Sequence, residues 1–328
     1  MGQVRIGTSG WVYKGWNETF YPADVPRRAV LQYMAERVSS VEVNGSFYSL
    51  QRPESYQRWY GQTPADFVFA IKGSRFITHN KKLRDVDTAL ANFLASGVLA
   101  LGEKLGPIVW QLPASARFDA ERLDAFFALL PRDTHAAARL ARRHDHRVAG
   151  RSWTRPGARR PLRHAIEVRN DSFFVLEFVR LARRHGIAVV SSDAPDWPRT
   201  DEITAGFVYV RLHGSTRKYA SRYTDAELDA WAMRIRAWQH GADAPDAHRI
   251  TTLKPPRRAS RDVYVYFDND YEANAPNDAL RLIERLRGRD YAARRRVPPN
   301  QQVNQSTNQQ IAPRGSGAPK RSCRSGSC

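Results

Sequence analysis

Acids, bases and amides recur at the ends of short apolar runs in this sequence. Val41-Glu42-Val43-Asn44, Ile166-Glu167-Val168-Arg169 and Val208-Tyr209-Val210-Arg211-Leu212-His213 share one design, with an aliphatic side chain at every second position and a functional one between. A period of two is the signature of a strand, whose successive side chains point to opposite faces. If the aliphatic residues pack on helices, Glu42, Asn44, Glu167, Arg169, Tyr209, Arg211 and His213 face the other way and converge. The same parity adds Lys72, Gln111, Ser191 and Asp193. In Val265-Tyr266-Phe267-Asp268-Asn269-Asp270 both parities run from apolar to polar. Of the two, Asn269, with Asp270 beside it, is the expected inward residue.

Such a mixture suits acid/base chemistry on a small phosphorylated or carboxylated molecule. Glu42, Glu167, Asp193 and His213 are the expected catalytic groups, and Lys72, Arg169 and Arg211 are the cations expected to hold the anion. Asn44, Tyr48, His79, Gln111 and Asn269 complete the expected substrate contacts. Trp11, Trp16 and Tyr48 could form an aromatic wall over the site or pack in the core. The competing account is a buried ion-pair network in which the acids only neutralise the cations, although six buried charges cost more than apolar layers would. Lys72 could form a Schiff base if desolvated, but nearby carboxylates favour its charged form. A divalent metal could bind Glu42, His79, Glu167, Asp193 and His213, with no spacing that selects one.

Eight runs of this kind punctuate the chain: 4–7, 40–44, 67–72, 108–111, 164–169, 188–193, 207–213 and 263–269. Their near-continuous Val, Ile, Phe and Tyr content marks strands covered on both faces, as parallel strands are. Helical patterns fall between them at 27–38, 85–104, 119–130, 173–185, 225–240 and 277–287. Pro26 marks a start, Thr224-Asp225-Ala226-Glu227 reads as a capping box, and Gly186 marks a stop. Eight strand-then-helix units predict a (β/α)8 barrel of the TIM type over residues 1–290, whose active sites are built at the carboxyl ends of the strands. An open doubly wound sheet would need fewer strands, and no Gly-x-Gly-x-x-Gly follows the first one.

Composition narrows the function classes. No apolar stretch of membrane-spanning length and no secretory signal pattern occur, which predicts a soluble, cytoplasmic protein with no membrane partner. Both cysteines, Cys323 and Cys328, lie in the last six residues, leaving the barrel without a disulfide or a thiolate nucleophile. The net charge of +19 is concentrated in two places. Residues 132–163 hold ten Arg against two Asp, and residues 287–328 hold nine Lys or Arg against one Asp, leaving +3 for the rest. The first segment reads as a helix followed by a solvated basic insertion between strands four and five. Residues 294–328, rich in Gln, Asn, Ser, Pro, Gly and Arg, read as a disordered basic tail. Nucleic acid is therefore a candidate partner through these two segments alone. No P-loop, Gly-x-Ser-x-Gly or His-Glu-x-x-His motif is present.

A series of motifs in order resembles the domain of unknown function 72 (YecE-like) family. They are Ile6-Gly7-Thr8-Ser9-Gly10-Trp11, Phe20-Tyr21-Pro22, Val41-Glu42-Val43-Asn44 with Phe47-Tyr48, Lys72, Thr78-His79, Lys104-Leu105-Gly106, Gln111-Leu112-Pro113, Glu167-Val168-Arg169, Arg211-Leu212-His213-Gly214 and Phe267-Asp268-Asn269-Asp270. The resemblance spans roughly residues 4–287 and implies a (β/α)8 barrel with a pocket lined by those positions, without bringing an established activity. It also implies that the Arg-rich insertion belongs to the domain. Asp268 departs from the family pattern, in which a second Asn is frequent. Three functions remain in play: an enzyme acting on a small anion, a metal-assisted phosphodiesterase or nuclease, and a non-catalytic protein that binds a metabolite or nucleic acid.

Overall fold

The structure is a computed structural model that describes residues 1–288. Parallel strands β1 (Val4–Ser9), β2 (Ser40–Val43), β3 (Val68–Lys72), β4 (Leu105–Gln111) and β5 (His164–Glu167) pair in sequence order. The sixth strand is broken at Val190 into β6 (Ala188–Val189) and β7 (Ser191–Asp193), followed by β8 (Phe207–Leu212) and β9 (Asp262–Phe267). The sheet runs β6-β5-β4-β3-β2-β1-β9-β8-β7. Because its two outer members are halves of one strand, the sheet closes on itself, and the predicted TIM-type barrel is the fold.

Helices α1 (Val30–Ala35), α2 (Gly45–Tyr48), α3 (Pro53–Gly61), α4 (Asp87–Ala95), α5 (Ala120–Leu129), α6 (Thr134–Ala141), α7 (Leu176–Arg184), α8 (Asp225–Gln239) and α9 (Asn274–Arg287) surround it. The Thr224 capping box at α8 forms as predicted, with the Thr224 hydroxyl accepting from the Glu227 backbone and the Glu227 carboxylate accepting from the Thr224 backbone. The short α2 and α3 were not anticipated, since α3 carries a polar, low-contrast pattern behind Pro53. Among the described residues no helix is long and apolar enough to cross a membrane.

Alternation divides the apolar residues into two sets. Val41, Val43, Ile71, Trp110, Ile166, Val210, Val265 and Phe267 pack outward under the helices. Ala70, Val109, Ala165, Ala188, Val190, Phe207, Tyr209, Tyr264 and Tyr266 fill the barrel interior. The interior is therefore apolar and aromatic below, and the next inward residue of each strand stands at its carboxyl end.

The Arg-rich segment forms the expected helix, α6, followed by a largely exposed stretch, and it is anchored to the rest of the domain. Ala137, Ala138 and Ala141 of α6 are buried, and α6 lies against α4. Asp133 caps α6 at Ala136 N and pairs with Arg159 at 2.8 Å, while Asn92 on α4 exchanges two hydrogen bonds with Asp145. The alanines supply the packing face that the arginine count obscured. The predicted tail, 294–328, and both cysteines lie outside the described residues.

Candidate active site

Arg211, the penultimate residue of β8, is the centre of the barrel mouth and is fully buried. Its Nε donates to Glu42 Oε2 at 3.1 Å and one terminal nitrogen donates to Glu42 Oε1 at 2.9 Å, a two-pronged pairing. The same nitrogen reaches Asp268 Oδ2 at 3.1 Å, and the other donates to Glu167 Oε2 at 2.7 Å. Glu42 also accepts from the Tyr209 hydroxyl at 2.6 Å and the Ser9 hydroxyl at 2.9 Å. His213 stands between two acids, with Nε2 3.0 Å from Glu167 Oε1 and Nδ1 2.9 Å from Asp268 Oδ2, the latter close but not aligned as a hydrogen bond. Ser192 donates to Glu167 Oε1 at 3.2 Å. Arg169 closes the group with contacts of 3.2 and 3.3 Å to the same oxygen.

Burial and charge pull against each other here, and charge wins. Burial disfavours the Arg211 cation, but Glu167, Glu42 and Asp268 more than offset it and hold its pKa well above the ordinary value. Burial pushes Glu167 up, while Arg169, Arg211 and His213 bring it well below the usual carboxylate range. Asp268 follows the same balance, drawn down by Arg211, His213 and Lys72. Glu167 and Asp268 are therefore held as carboxylates, and Arg211 is already engaged by both of them and by Glu42.

Lys72 differs. It ends β3 inside the barrel, 7% exposed, and the Phe47 ring lies 4.4 Å from its Nζ. Among the described residues no hydrogen bond or ion pair meets that nitrogen. Burial and then Arg211 lower its pKa to about 8, against the pull of Asp268, Glu42 and Glu167. Gly73 fixes the strand end, because a Cβ there would stand 2.2 Å from the Trp110 ring. Just past β9, Asp270 is pushed up to about 6 by burial and by Asp268. His79 is half-buried, edge-on to Phe47 at 5.2 Å, and accepts from or donates to the Thr78 hydroxyl at 2.9 Å. Burial, then Arg169, Lys72 and Arg75, lower its pKa. Gln111 is buried at the end of β4 and Asn44 Oδ1 is buried without a partner.

The structure thus brings Glu42, Glu167, Arg169, Arg211, His213 and Lys72 together, and it corrects two parities. Asp193 does not face the barrel: its carboxylate accepts from Trp231 Nε1 of α8 at 3.3 Å, and Ser192 is the inward residue. Asn269 also faces the helices, donating to Asp278 of α9 and to the Ser221 carbonyl at 2.9 Å each, so Asp268 is the inward residue of its strand. Both runs are apolar and then polar in each register, so sequence contrast could not choose between them. Tyr48 is 63% exposed, with Arg75 over its ring, while Trp16 is fully buried among Tyr13, Phe20 and Tyr21, and Trp11 packs edge-on against Trp59. The aromatic wall is made instead by Trp197, stacked under Arg169 at 3.6 Å and edge-on to His213 at 4.9 Å, with Tyr219 5.7 Å from His213. Both sit in loops without periodicity, so no sequence signal pointed to them. Among the described residues no group of three or more His, Cys, Asp or Glu side chains has a spacing that could hold a metal ion. The carboxylates that would ligate one are turned onto Arg211 instead.

A parallel barrel with polar residues gathered at its carboxyl ends defines the class as a TIM-type barrel protein with a charged mouth. The family model described as "Protein of unknown function DUF72" matches residues 5–302, and the chain belongs to that family. Protein YecE of Escherichia coli K12 is 26% identical over 291 residues, covering 87% of this chain and 93% of YecE. Protein YunF of Bacillus subtilis 168 is 22% identical over 303 residues, covering 86% and 94%. Among solved structures, a DUF72 family protein from Thermotoga maritima superposes with a TM-score of 0.65 at 22% identity, over 87% of this chain and all of that one. One from Enterococcus faecalis gives 0.61 at 16%, over 87% and 96%. These two likenesses concern the fold.

Proposed function

We propose that this protein is an enzyme that acts on a small anionic molecule at the mouth of the barrel, with Lys72 as the cation that meets the anion and donates the proton. The observation that carries this reading is the contrast between two buried cations. Arg211 spends its charge on Glu42, Glu167 and Asp268, whereas Lys72 has no partner within bonding distance among the described residues. A buried ammonium without a partner is costly, and an incoming anion would relieve that cost. Glu42, Glu167 and His213, which the sequence cast as proton carriers, then act as positioning residues: their lone pairs and protons are committed to holding one another.

Efficient acids and bases have pKa values near the working pH. Lys72 at about 8 and Asp270 at about 6 bracket neutrality from the two sides required, one protonated and the other ionised near pH 7. Environments that shift two titrating groups toward the working pH in this way support an acid/base assignment. The half-buried His79, the buried amide of Gln111 and the buried Asn44 Oδ1 supply further hydrogen-bonding groups.

The test is turnover of a panel of phosphorylated and carboxylated compounds by the wild type and Lys72→Met. A substrate of this site should give a bell-shaped kcat/KM profile with limbs near 6 and 8. Lys72→Met should lose about 100-fold or more in kcat/KM, within the range ascribed to general acid catalysis, and should lose the alkaline limb. A substrate turned over equally by Lys72→Met would remove Lys72 from the chemistry.

A further inference from the structure

A cavity of about 590 Å³ opens beside the barrel mouth, between the loops that follow β3 and β4 and the first turn of α5. Its size falls in the range of small-molecule sites. It adjoins the mouth at two points. Thr78, in its lining, bonds His79, and Leu112, also in its lining, follows the inward Gln111 directly. Its walls carry Lys81, Lys82, Arg84 and Arg117, none of which has a hydrogen-bonding or ion-pair partner for its side-chain charge among the described residues. A fifth cation, Arg122, is neutralised by Asp119 at 2.5 Å. The floor is apolar, from Leu112, Leu123 and Phe173.

The loop that presents the cations is held in an unfavourable backbone shape. Lys82, Leu83 and Asp85 have φ of 50°, 67° and 47°, the left-handed region that non-glycine residues rarely adopt. Each costs about 1–2 kcal/mol, and such strain persists where the surroundings over-determine it. Here the Leu83 amide donates to Ile77 O at 3.0 Å and its side chain is buried, which turns Lys82 and Arg84 outward on either side of it.

We infer that this cavity is a binding site for the phosphoryl group of a phosphate monoester whose remainder is apolar. Four unpaired cations exceed what a single carboxylate would neutralise, and a phosphoryl group, carrying about −1.5 to −2 charges, takes up more of that excess. The apolar floor takes the rest of the molecule, where burial is favourable by about 25 cal/mol per Å². The inference deepens the reading of the barrel mouth, since the lining residues Thr78 and Leu112 adjoin His79 and Gln111, and it rests on that reading only for calling the ligand a substrate.

Calorimetric binding separates the two readings, because it needs no turnover. Phenyl phosphate should bind the full chain at least tenfold more tightly than inorganic phosphate, which lacks the apolar body, and than benzoate, which has half the charge. The doubly reversed variant Lys81→Glu/Arg117→Glu should lose tenfold or more, while the same change of charge at Arg27→Glu/Arg28→Glu, exposed just before α1 and outside the cavity lining, should leave phenyl phosphate binding as in the wild type. Because Arg117 is exposed and Lys81 lies at the surface, the reversed variant should keep its thermal midpoint. Equal affinity in wild type and Lys81→Glu/Arg117→Glu, or an equal loss in Arg27→Glu/Arg28→Glu, would overturn the site. Inorganic phosphate or benzoate binding as tightly as phenyl phosphate would overturn the ligand class. Loss of binding in Lys72→Met alone would move the anion to the barrel interior and overturn the cavity as its seat.

Discussion

Two clusters of cations lie side by side at the carboxyl end of this barrel, and they obey opposite rules. In the interior, Arg211 is sealed from water and every acid around it is turned onto it. In the neighbouring cavity, Lys81, Lys82, Arg84 and Arg117 reach solvent and carry no partner among the described residues. A charge taken out of water must be neutralised by the protein itself, so a deeply buried cation has nothing left for a ligand. A charge at the surface is screened by water and can wait. Lys72 falls between the rules, buried like Arg211 but unpaired like the cavity lysines, and for that reason it is the residue on which a function is proposed.

Breaking the interior side of this comparison should have the largest effect. Arg211→Met takes from Glu42, Glu167 and Asp268 the cation they share, leaving Arg169 on Glu167 alone, and removal of one partner from a buried ion pair costs about 3–5 kcal/mol. Urea unfolding should show that loss, and a change below about 1 kcal/mol would mean that water already reaches the cluster.

Lys72→Met sharpens the comparison through pH. The folded pKa of Lys72 lies below its unfolded value, so between about 8 and the ordinary lysine range the unfolded chain holds the proton that the folded chain has released. Wild-type stability should gain a rising contribution over that window, and below pH 8 the buried ammonium should weigh against folding. Met carries no such charge. The difference in unfolding free energy between Lys72→Met and wild type should therefore favour the variant below pH 8 and shrink as pH rises. A difference independent of pH from 7 to 10 would show that Lys72 is solvated as the cavity lysines are.

On the cavity side, Lys81→Glu/Arg117→Glu should leave stability within about 0.5 kcal/mol, as surface substitutions do. A larger loss would mean that these cations hold the loop together and are not free. Asp193→Asn should have the smallest effect. The carboxylate accepts a long hydrogen bond from Trp231 and takes part in one with the buried Tyr223 hydroxyl, and an amide oxygen can accept from both, so a cost under about 1 kcal/mol is expected, with turnover unchanged.

Much of this was legible from residue order. The valines of Val41-Glu42-Val43 and the pattern Val208-Tyr209-Val210-Arg211 stated which way Glu42, Tyr209 and Arg211 would point, because the apolar and polar registers differ. Where they did not differ, the direction failed. In Val189-Val190-Ser191-Ser192-Asp193 and Phe267-Asp268-Asn269 either register can face a helix, and the structure gives the interior to Ser192 and Asp268. The Arg-rich segment was legible as a helix followed by a largely exposed stretch, which 134–160 form, but the partner of the α6 alanines, α4, was not, because a helix face does not name the helix it meets. Trp197 and Tyr219 were out of reach, since a loop residue meets its neighbours through the path of the chain and not through a period.

What the sequence determined by itself was the strand count, the closed parallel barrel and the convergence of acids and bases at one end, because each follows from local periodicity repeated eight times. What only the tertiary structure decided was which of those charges are spent. Pairing depends on distances of a few ångströms between residues as far apart as Glu42 and Arg211, and alternation along one strand cannot measure a separation across the barrel. The same periodicity that aims Lys72 and Arg211 at a common point is silent on the fact that one of them arrives with three carboxylate partners and the other, among the described residues, with no hydrogen bond or ion pair.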